Sequence, residues 1–191
     1  MHVSHIGGSS PEQMPCCGHM VDLFRSEEAF MDALTRFVSD GLALEEGVIV
    51  IAAPQRRRRL RECLRHAGFD VSHPQLANLV LFLDAAETLK RFMVNGWPDR
   101  QRFSATIADA VGRVAAPGRK VRAFGEMVVL LWESRAYEAT VRLEYLWDEF
   151  CAGNRLTLLC GYPESALRTG PTCLVEGIHR AHSLVFHSGA D

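Results

Sequence analysis

The continuous apolar run GVIVIAAP at residues 47–54 is the feature that most constrains the fold of this chain. Its β-branched residues are typical of a central strand that is covered on both faces. Three further segments have a similar character, so we predict four strands in all. The other three are LVLFLDA at 79–85, KVRAFGEM at 120–127 and RLTLLCGYP at 155–163.

Segments with helical spacing of apolar residues separate these strands. Ser26 is placed to cap the first helix, which carries Glu27 and Glu28 in its first turn and ends at Gly41. The remaining predicted helices cover residues 56–67, 85–96, 100–118, 135–154 and 170–186. Strands that alternate with helices of this length indicate an α/β, three-layer sandwich with a mostly parallel central sheet.

Composition narrows the class of protein further. The 191 residues suit one domain of ordinary size, with 48% hydrophobic and 23% charged residues and a net charge of −2. We expect no direct nucleic-acid partner, no membrane span, a cytoplasmic location and six reduced cysteines. Residues 1–15 lack periodicity and are predicted to be a flexible N-terminal arm, which leaves 16–191 as a single domain.

The segment AAPQRRRRL at residues 52–60 stands where nucleotide-binding α/β proteins place a phosphate loop. A phosphate loop needs glycines, a Lys and a Ser or Thr, and this segment has none of them. Pro54 also removes a backbone donor. We therefore predict that the chain does not hydrolyse ATP through a phosphate loop. Arg56 to Arg59 are interpreted as a solvated helix start, with an anion site as the alternative.

Cys16, Cys17 and His19 lie close together in MPCCGHM. His2 and His5 precede them, and His179 and His182 lie near the other end of the chain. Zinc ligands commonly come as cysteine pairs separated by about two to four residues. Adjacent cysteines do not fit this pattern, and no second pair completes a set. The sequence therefore predicts no bound metal and no cofactor.

Several segments resemble, in order and spacing, the MEDS domain, the sensory domain of methanogen and methylotroph regulators. The resemblance runs from about residue 19 to residue 185 and includes GHMVDLF, GLALEEGVIVIA, RAFGEMVVLLW, RLEYLWDEF, LLCGYP and HRAHSLV. The matching positions are His19, Gly41, Leu42, Glu46, Arg122, Gly125, Glu126, Met127, Trp132, Leu143, Glu144, Cys160, Tyr162, Pro163 and His182.

The resemblance implies a fold related to the RecA and KaiC class of ATPases in which the phosphate loop has degenerated. It also implies a sensory role in prokaryotic signalling, directed at hydrocarbon derivatives or other small molecules. Many members carry a kinase, a phosphatase-type module or a DNA-binding module on the same chain. Because 191 residues leave no room for one, we expect the signal to pass to a separate partner, a kinase or a transcription regulator. The sequence is also compatible with a homodimer.

In parallel sheets, ligands bind beyond the carboxyl ends of the strands. The residues predicted to bind a small molecule there are His19, Asp84, Glu126, Cys160 and Tyr162. The alternative for Glu126 is a structural polar role, for Cys160 a buried thiol that acts as a small hydrophobe, and for Tyr162 a packing role. No catalytic motif is evident, so we expect a non-catalytic sensory domain. The alternative is an atypical nucleotide-binding protein or an enzyme of unrecognised type.

Overall fold

A computed structural model of the chain describes residues 4–5 and 18–189. Its nine strands are β1 (Ser4–His5), β2 (Gly18–Phe24), β3 (Gly47–Ala52), β4 (Val80–Asp84), β5 (Met93–Val94), β6 (Trp97–Pro98), β7 (Val121–Gly125), β8 (Leu156–Pro163) and β9 (Leu184–Phe186). Seven of them form one sheet in the order β1-β9-β2-β8-β7-β3-β4. Every pairing in this sheet is parallel.

The helices of the described chain connect these strands. They are α1 (Glu27–Ala43), α2 (Pro54–His66), α3 (Pro74–Ala77), α4 (Ala85–Lys90), α5 (Arg100–Val114), α6 (Met127–Glu133), α7 (Tyr137–Asn154), α8 (Glu164–Leu167) and α9 (Thr172–Ala181). In the part of the chain that the structure covers, no helix is both long and apolar enough to traverse a lipid bilayer.

Both faces of the sheet are buried against helices. Val48 and Val50 of β3 pack with residues of α1 and α2, whereas Ile49 and Ile51 pack with residues of α4, α5, α6 and α7. Because successive side chains of a strand point to opposite faces, a strand covered on both sides must be apolar throughout. The predicted α/β three-layer sandwich with a parallel sheet is confirmed.

The cap predicted for the first helix is present. The Ser26 hydroxyl accepts a hydrogen bond from the Ala29 N–H at 3.3 Å. The helix continues to Ala43, slightly beyond the predicted end at Gly41. Glu27 and Glu28 occupy its first turn, where the helix dipole favours negative charge.

Arg122 of β7 fastens the end of α1 to the sheet. Its guanidinium donates to Glu46 Oε2 at 2.5 Å and to the Phe37 carbonyl at 2.7 Å. A Cβ atom at Gly41 would lie 2.6 Å from Arg122 Cδ, so only glycine leaves room for this side chain. Gly41, Glu46 and Arg122 therefore have a structural role.

The structure departs from the prediction mainly in short elements. The predicted helix at 85–96 ends at Lys90, and a β5–β6 hairpin follows it, turning at Asn95 and Gly96 with φ of 49° and 82°. An Asn-Gly pair with positive φ at both residues is typical of a tight hairpin turn. The predicted C-terminal helix ends at Ala181, and β9 then joins the sheet between β1 and β2. Helix α6 was not predicted.

The predicted flexible arm lies almost entirely outside the described residues, as do Cys16 and Cys17. Only Ser4–His5 of the arm are described, and they pair with β9 as β1. The short stretch HMVDLF lies outside the four predicted strands, but it forms most of β2 and pairs with β8 and β9.

We expect Gly161→Ala to lower the free energy of unfolding by about 1–3 kcal/mol, because overpacking a full core forces strain. A Cβ atom at Gly161 would lie 2.6 Å from the Phe30 ring, which is itself buried and stacked on Phe24 at 4.3 Å. Urea denaturation checks this. Gly112→Ala is the matched control, since nothing lies within 4 Å of that position in α5, and it should be neutral or stabilising by up to about 1 kcal/mol. Equal stabilities for the two variants would contradict the prediction.

Candidate functional site

Three of the predicted site residues, His19, Cys160 and Tyr162, converge in the interior. His19 of β2 and Cys160 of β8 project from neighbouring strands on the same face of the sheet, with His19 Nε2 3.4 Å from Cys160 Sγ. Glu144 of α7 lies over them, and His182, which immediately follows α9, completes the group. We call His19, Glu144, Cys160 and His182 the buried cluster; none of the four side chains is more than 3% exposed.

The Glu144 carboxylate lies at the centre of the buried cluster. Its Oε2 atom is 3.2 Å from His19 Nε2, 3.5 Å from His182 Nε2 and 3.7 Å from Cys160 Sγ. Its Oε1 atom accepts a hydrogen bond of 2.6 Å from the Tyr162 hydroxyl. Tyr162 is itself fully buried, so this hydrogen bond is made without competition from solvent.

Backbone carbonyls fix the tautomer of both imidazoles. His19 Nδ1 lies 2.9 Å from the Ala181 carbonyl, and His182 Nδ1 lies 2.7 Å from the Ile178 carbonyl. Because a carbonyl oxygen only accepts hydrogen bonds, each Nδ1 carries the proton. In the neutral ring, each Nε2 therefore offers an unprotonated lone pair to the centre of the buried cluster.

Burial favours the uncharged form of every group in the cluster. It lowers the pKa of His19 to about 4 and that of His182 to about 3. It also raises the pKa of the Glu144 carboxyl group and raises the pKa of the Cys160 thiol well above its usual value. Of the four groups, the Cys160 thiol and the Glu144 carboxyl group become anions when they ionise, and in the interior these anions need a compensating positive charge.

Glu144 and His182 are site residues that the sequence analysis did not select. Both stand in segments that resemble the MEDS domain. The local sequence signal that could have pointed to Glu144 is its charge on the inner face of α7, between Leu143 and Trp147.

The other two predicted site residues lie at the carboxyl ends of their strands but not in the buried cluster. The structure does not bring Glu126 and Asp84 into one cleft with Tyr162. Glu126 Oε2 accepts from the Ala53 N–H at 2.7 Å and Oε1 accepts from Arg56 Nε at 2.8 Å. Asp84 Oδ2 accepts from Arg57 at 2.9 Å, while Oδ1 caps α4. Their roles in ligand binding stay predictions.

These contacts change the interpretation of the arginine run. Arg56 also donates to Glu27 at 2.6 Å, and its side chain is only 15% exposed. The expected solvated helix start is therefore wrong for Arg56 and Arg57, although Arg58 is exposed. Carboxylates of this chain neutralise the cations that would otherwise be unfavourable at the start of α2. The anion position at this helix start is occupied by Glu126.

A separate concavity of about 490 Å³ opens beside the buried cluster. It is formed by the segments that follow β7 and β8, and its lining residues are Trp132, Glu133, Arg135, Tyr137, Ala166 and Thr169. The Trp132 ring lies 6.4 Å from the Tyr162 ring in an edge-to-face arrangement. Tyr162 therefore lies between the concavity and Glu144.

We expect Arg56→Gln to lower the free energy of unfolding by about 1–3 kcal/mol, because it leaves the mostly buried Glu126 carboxylate without its charged partner. Arg58→Gln, at an exposed position of the same helix, should change it by less than about 0.5 kcal/mol. Thermal and chemical denaturation measure both. Indistinguishable variants would show that the Arg56 ion pairs contribute nothing to stability.

Comparison with known proteins supports both the fold and the family. No curated protein matches this chain in sequence. A solved structure from Pyrococcus horikoshii OT3, described as a structural study of Project ID PH0250, is similar to it with a TM-score of 0.57. The likeness covers 90% of this chain and 81% of that chain at 9% sequence identity, which shows a shared fold alone.

The family model of the methanogen/methylotroph, DcmR sensory domain matches residues 18–183. This range covers all strands of the sheet except β1 and β9, together with every residue of the buried cluster. The chain belongs to the MEDS family of sensory domains.

Proposed function

We propose that this chain is a non-catalytic sensory domain that binds a small organic molecule and passes its state to a separate partner protein. Membership of a sensory family supports the general role. The ligand, its site and the partner are our inference. A kinase or a transcription regulator is the kind of partner that a prokaryotic sensory domain serves.

The observation that carries the proposal is the concavity beside Trp132. Its volume of about 490 Å³ lies within the usual range of about 300–1,000 Å³ for small-molecule sites. Trp132 and Tyr137 supply aromatic surface, with ring centroids 4.7 Å apart. Glu133, Arg135 and Thr169 add polar groups at the rim. This mixture suits a small polar or halogenated organic molecule.

The concavity is connected to the interior by direct contacts. Trp132 Nε1 donates to the Ala166 carbonyl at 2.9 Å, which fixes the indole in the wall. The same ring contacts Tyr162, whose hydroxyl is bonded to Glu144. A molecule that displaces Trp132 would thus disturb the hydrogen bond at the centre of the buried cluster. This is a short physical path from a ligand to the packing of α7.

The geometry disfavours the alternative of nucleotide binding at the start of α2. A phosphate there would have to displace the Glu126 carboxylate from the Ala53 N–H and from Arg56. An enzyme that uses the buried cluster is also disfavoured, because a substrate has no access to side chains that are buried this completely.

We expect halogenated methanes or short alcohols to raise the thermal unfolding midpoint of the full chain, and Mg-ATP to leave it unchanged. A ligand at a hundred times its dissociation constant stabilises the folded state by about 2.7 kcal/mol. Tryptophan fluorescence, to which Trp132 contributes together with Trp97 and Trp147, provides a second signal.

Thr169→Tyr should abolish the response, because the larger side chain fills the concavity from an exposed position. Ser165→Tyr is the matched control, since Ser165 is exposed on α8 and does not line the concavity. A response that persists in Thr169→Tyr would contradict the proposed site. Stabilisation by Mg-ATP with turnover would contradict the proposed function.

A further inference from the structure

We infer that His19, Glu144, Cys160 and His182 form a binding site for a divalent transition-metal ion, with Zn²⁺ as the best match. The inference concerns the interior of the fold and does not depend on the small-molecule site proposed above. It goes against the sequence-based prediction of no metal.

The spacing of the donor atoms matches tetrahedral coordination. Bonds of about 2.0–2.3 Å from Zn²⁺ to nitrogen, oxygen and sulfur place tetrahedral ligand atoms about 3.3–3.7 Å apart. Four of the six separations among the donor atoms lie between 3.2 and 3.7 Å. All four donor atoms lie within 4.8 Å of one another. An ion at their centre therefore requires only small side-chain adjustments.

The imidazoles are oriented as metal ligands are. A metal-bound histidine usually donates its other ring N–H to a carbonyl or carboxylate, which fixes the ring and its tautomer. Both His19 and His182 do so, with Ala181 and Ile178 as the acceptors. Among the described residues, His182 Nε2 has no hydrogen-bond partner although it is buried. An unpartnered lone pair aimed at a thiol and a carboxyl group is placed to coordinate a metal ion.

Charge balance supports the same conclusion. Ionised Cys160 and Glu144 would place two negative charges in the interior, and a divalent cation neutralises both. The ion displaces the thiol proton of Cys160, and also the carboxyl proton of Glu144 where that group is protonated, to solvent. Two neutral imidazoles complete the set. Two nitrogens, one sulfur and one oxygen in a tetrahedral arrangement suit Zn²⁺ or Co²⁺ better than Mg²⁺ or Ca²⁺.

The site is closed. All four coordination positions come from side chains of the protein, which is typical of structural zinc rather than of catalytic zinc. Tyr162 supports the carboxylate ligand through its hydrogen bond to Glu144 Oε1. The ligands come from β2, α7, β8 and the residue after α9, so the ion would cross-link the sheet to both helices.

The direct test is titration of the chelator-treated full chain with Co²⁺. We expect one equivalent to bind, with the intense visible bands of tetrahedral Co²⁺ and a thiolate-to-cobalt charge-transfer band in the near ultraviolet. Cys160→Ser should remove the charge-transfer band. Cys173→Ser, at an exposed thiol on α9, should retain it.

The double variant Cys16→Ser/Cys17→Ser distinguishes this site from one built on the N-terminal cysteines. We expect it to keep the charge-transfer band. Loss of the band in this variant, with retention in Cys160→Ser, would overturn the assignment, as would the absence of tetrahedral Co²⁺ bands in the unmodified chain.

Competition between Zn²⁺ and bound Co²⁺ measures how much His182 and Tyr162 contribute to metal binding. His182→Gln should weaken Zn²⁺ binding by more than about 100-fold, whereas His179→Gln, in the last turn of α9, should not. Tyr162→Phe keeps the ring and removes only the hydrogen bond to Glu144, so we expect a loss of about 10- to 100-fold. Circular dichroism establishes that each variant is folded. If folded His182→Gln binds Zn²⁺ like the unmodified chain, the assignment is wrong.

Discussion

The side chain of Glu144 carries a carboxyl group from α7 into the interior, where it has no contact with solvent. Burying such a group is expensive unless hydrogen bonds or an opposite charge compensate for it. Tyr162 and Cys160 of β8 meet part of that requirement by donating hydrogen bonds to the carboxyl group. His19 from β2 and His182 from the end of α9 turn their Nε2 atoms toward the same carboxyl group. The ends of the helices fit this arrangement. Helix α9 stops at Ala181, so that His182 turns inward, and β9 then enters the sheet beside β2. The packing of two helices on one face is thus organised around a single polar group.

On the opposite side of the sheet, a different set of polar contacts satisfies the charged groups. At the carboxyl ends of β3 and β7, Glu126 takes the Ala53 N–H and Arg56 as partners, which are the kinds of groups that would otherwise attract a phosphate. Arg56 also lies over the Phe30 ring at 4.9 Å and pairs with Glu27. The start of α2 is therefore electrostatically satisfied within the chain. These arginines therefore need no bound anion to compensate them, and the small-molecule site that we propose lies elsewhere, in the concavity beside Trp132.

Much of the fold could be predicted because it depends on local pattern. The apolar runs of β3, β4, β7 and β8 are long enough to indicate buried parallel strands, and Ser26 marks a helix start. Strand β9 has only three residues and follows a helical pattern directly, so periodicity could not separate it from α9. The buried cluster was harder to predict because its residues lie far apart in the sequence. His19, Glu144, Cys160 and His182 come from four elements, so no ligand spacing of the zinc-finger type exists to be recognised. Nor could the sequence indicate that Arg56 would pair with Glu126, since that contact depends on how α2 and β7 meet.

Tyr162 links the two proposed sites and sets an order of dependence between them. Its hydroxyl is bonded to Glu144, and its ring supports Trp132 in the wall of the concavity. An ion in the buried cluster would hold the Glu144 carboxylate in its ionised form, which accepts the hydrogen bond from Tyr162 most strongly. The tyrosine ring would then be held in place, and with it one side of the Trp132 wall. A bound small molecule, in contrast, contacts the wall from outside, and it would reach the ligands of the ion only by displacing Trp132 and, through Tyr162, the hydrogen bond to Glu144. The ion would therefore be a condition for a well-formed concavity, whereas the small molecule would not be a condition for the ion.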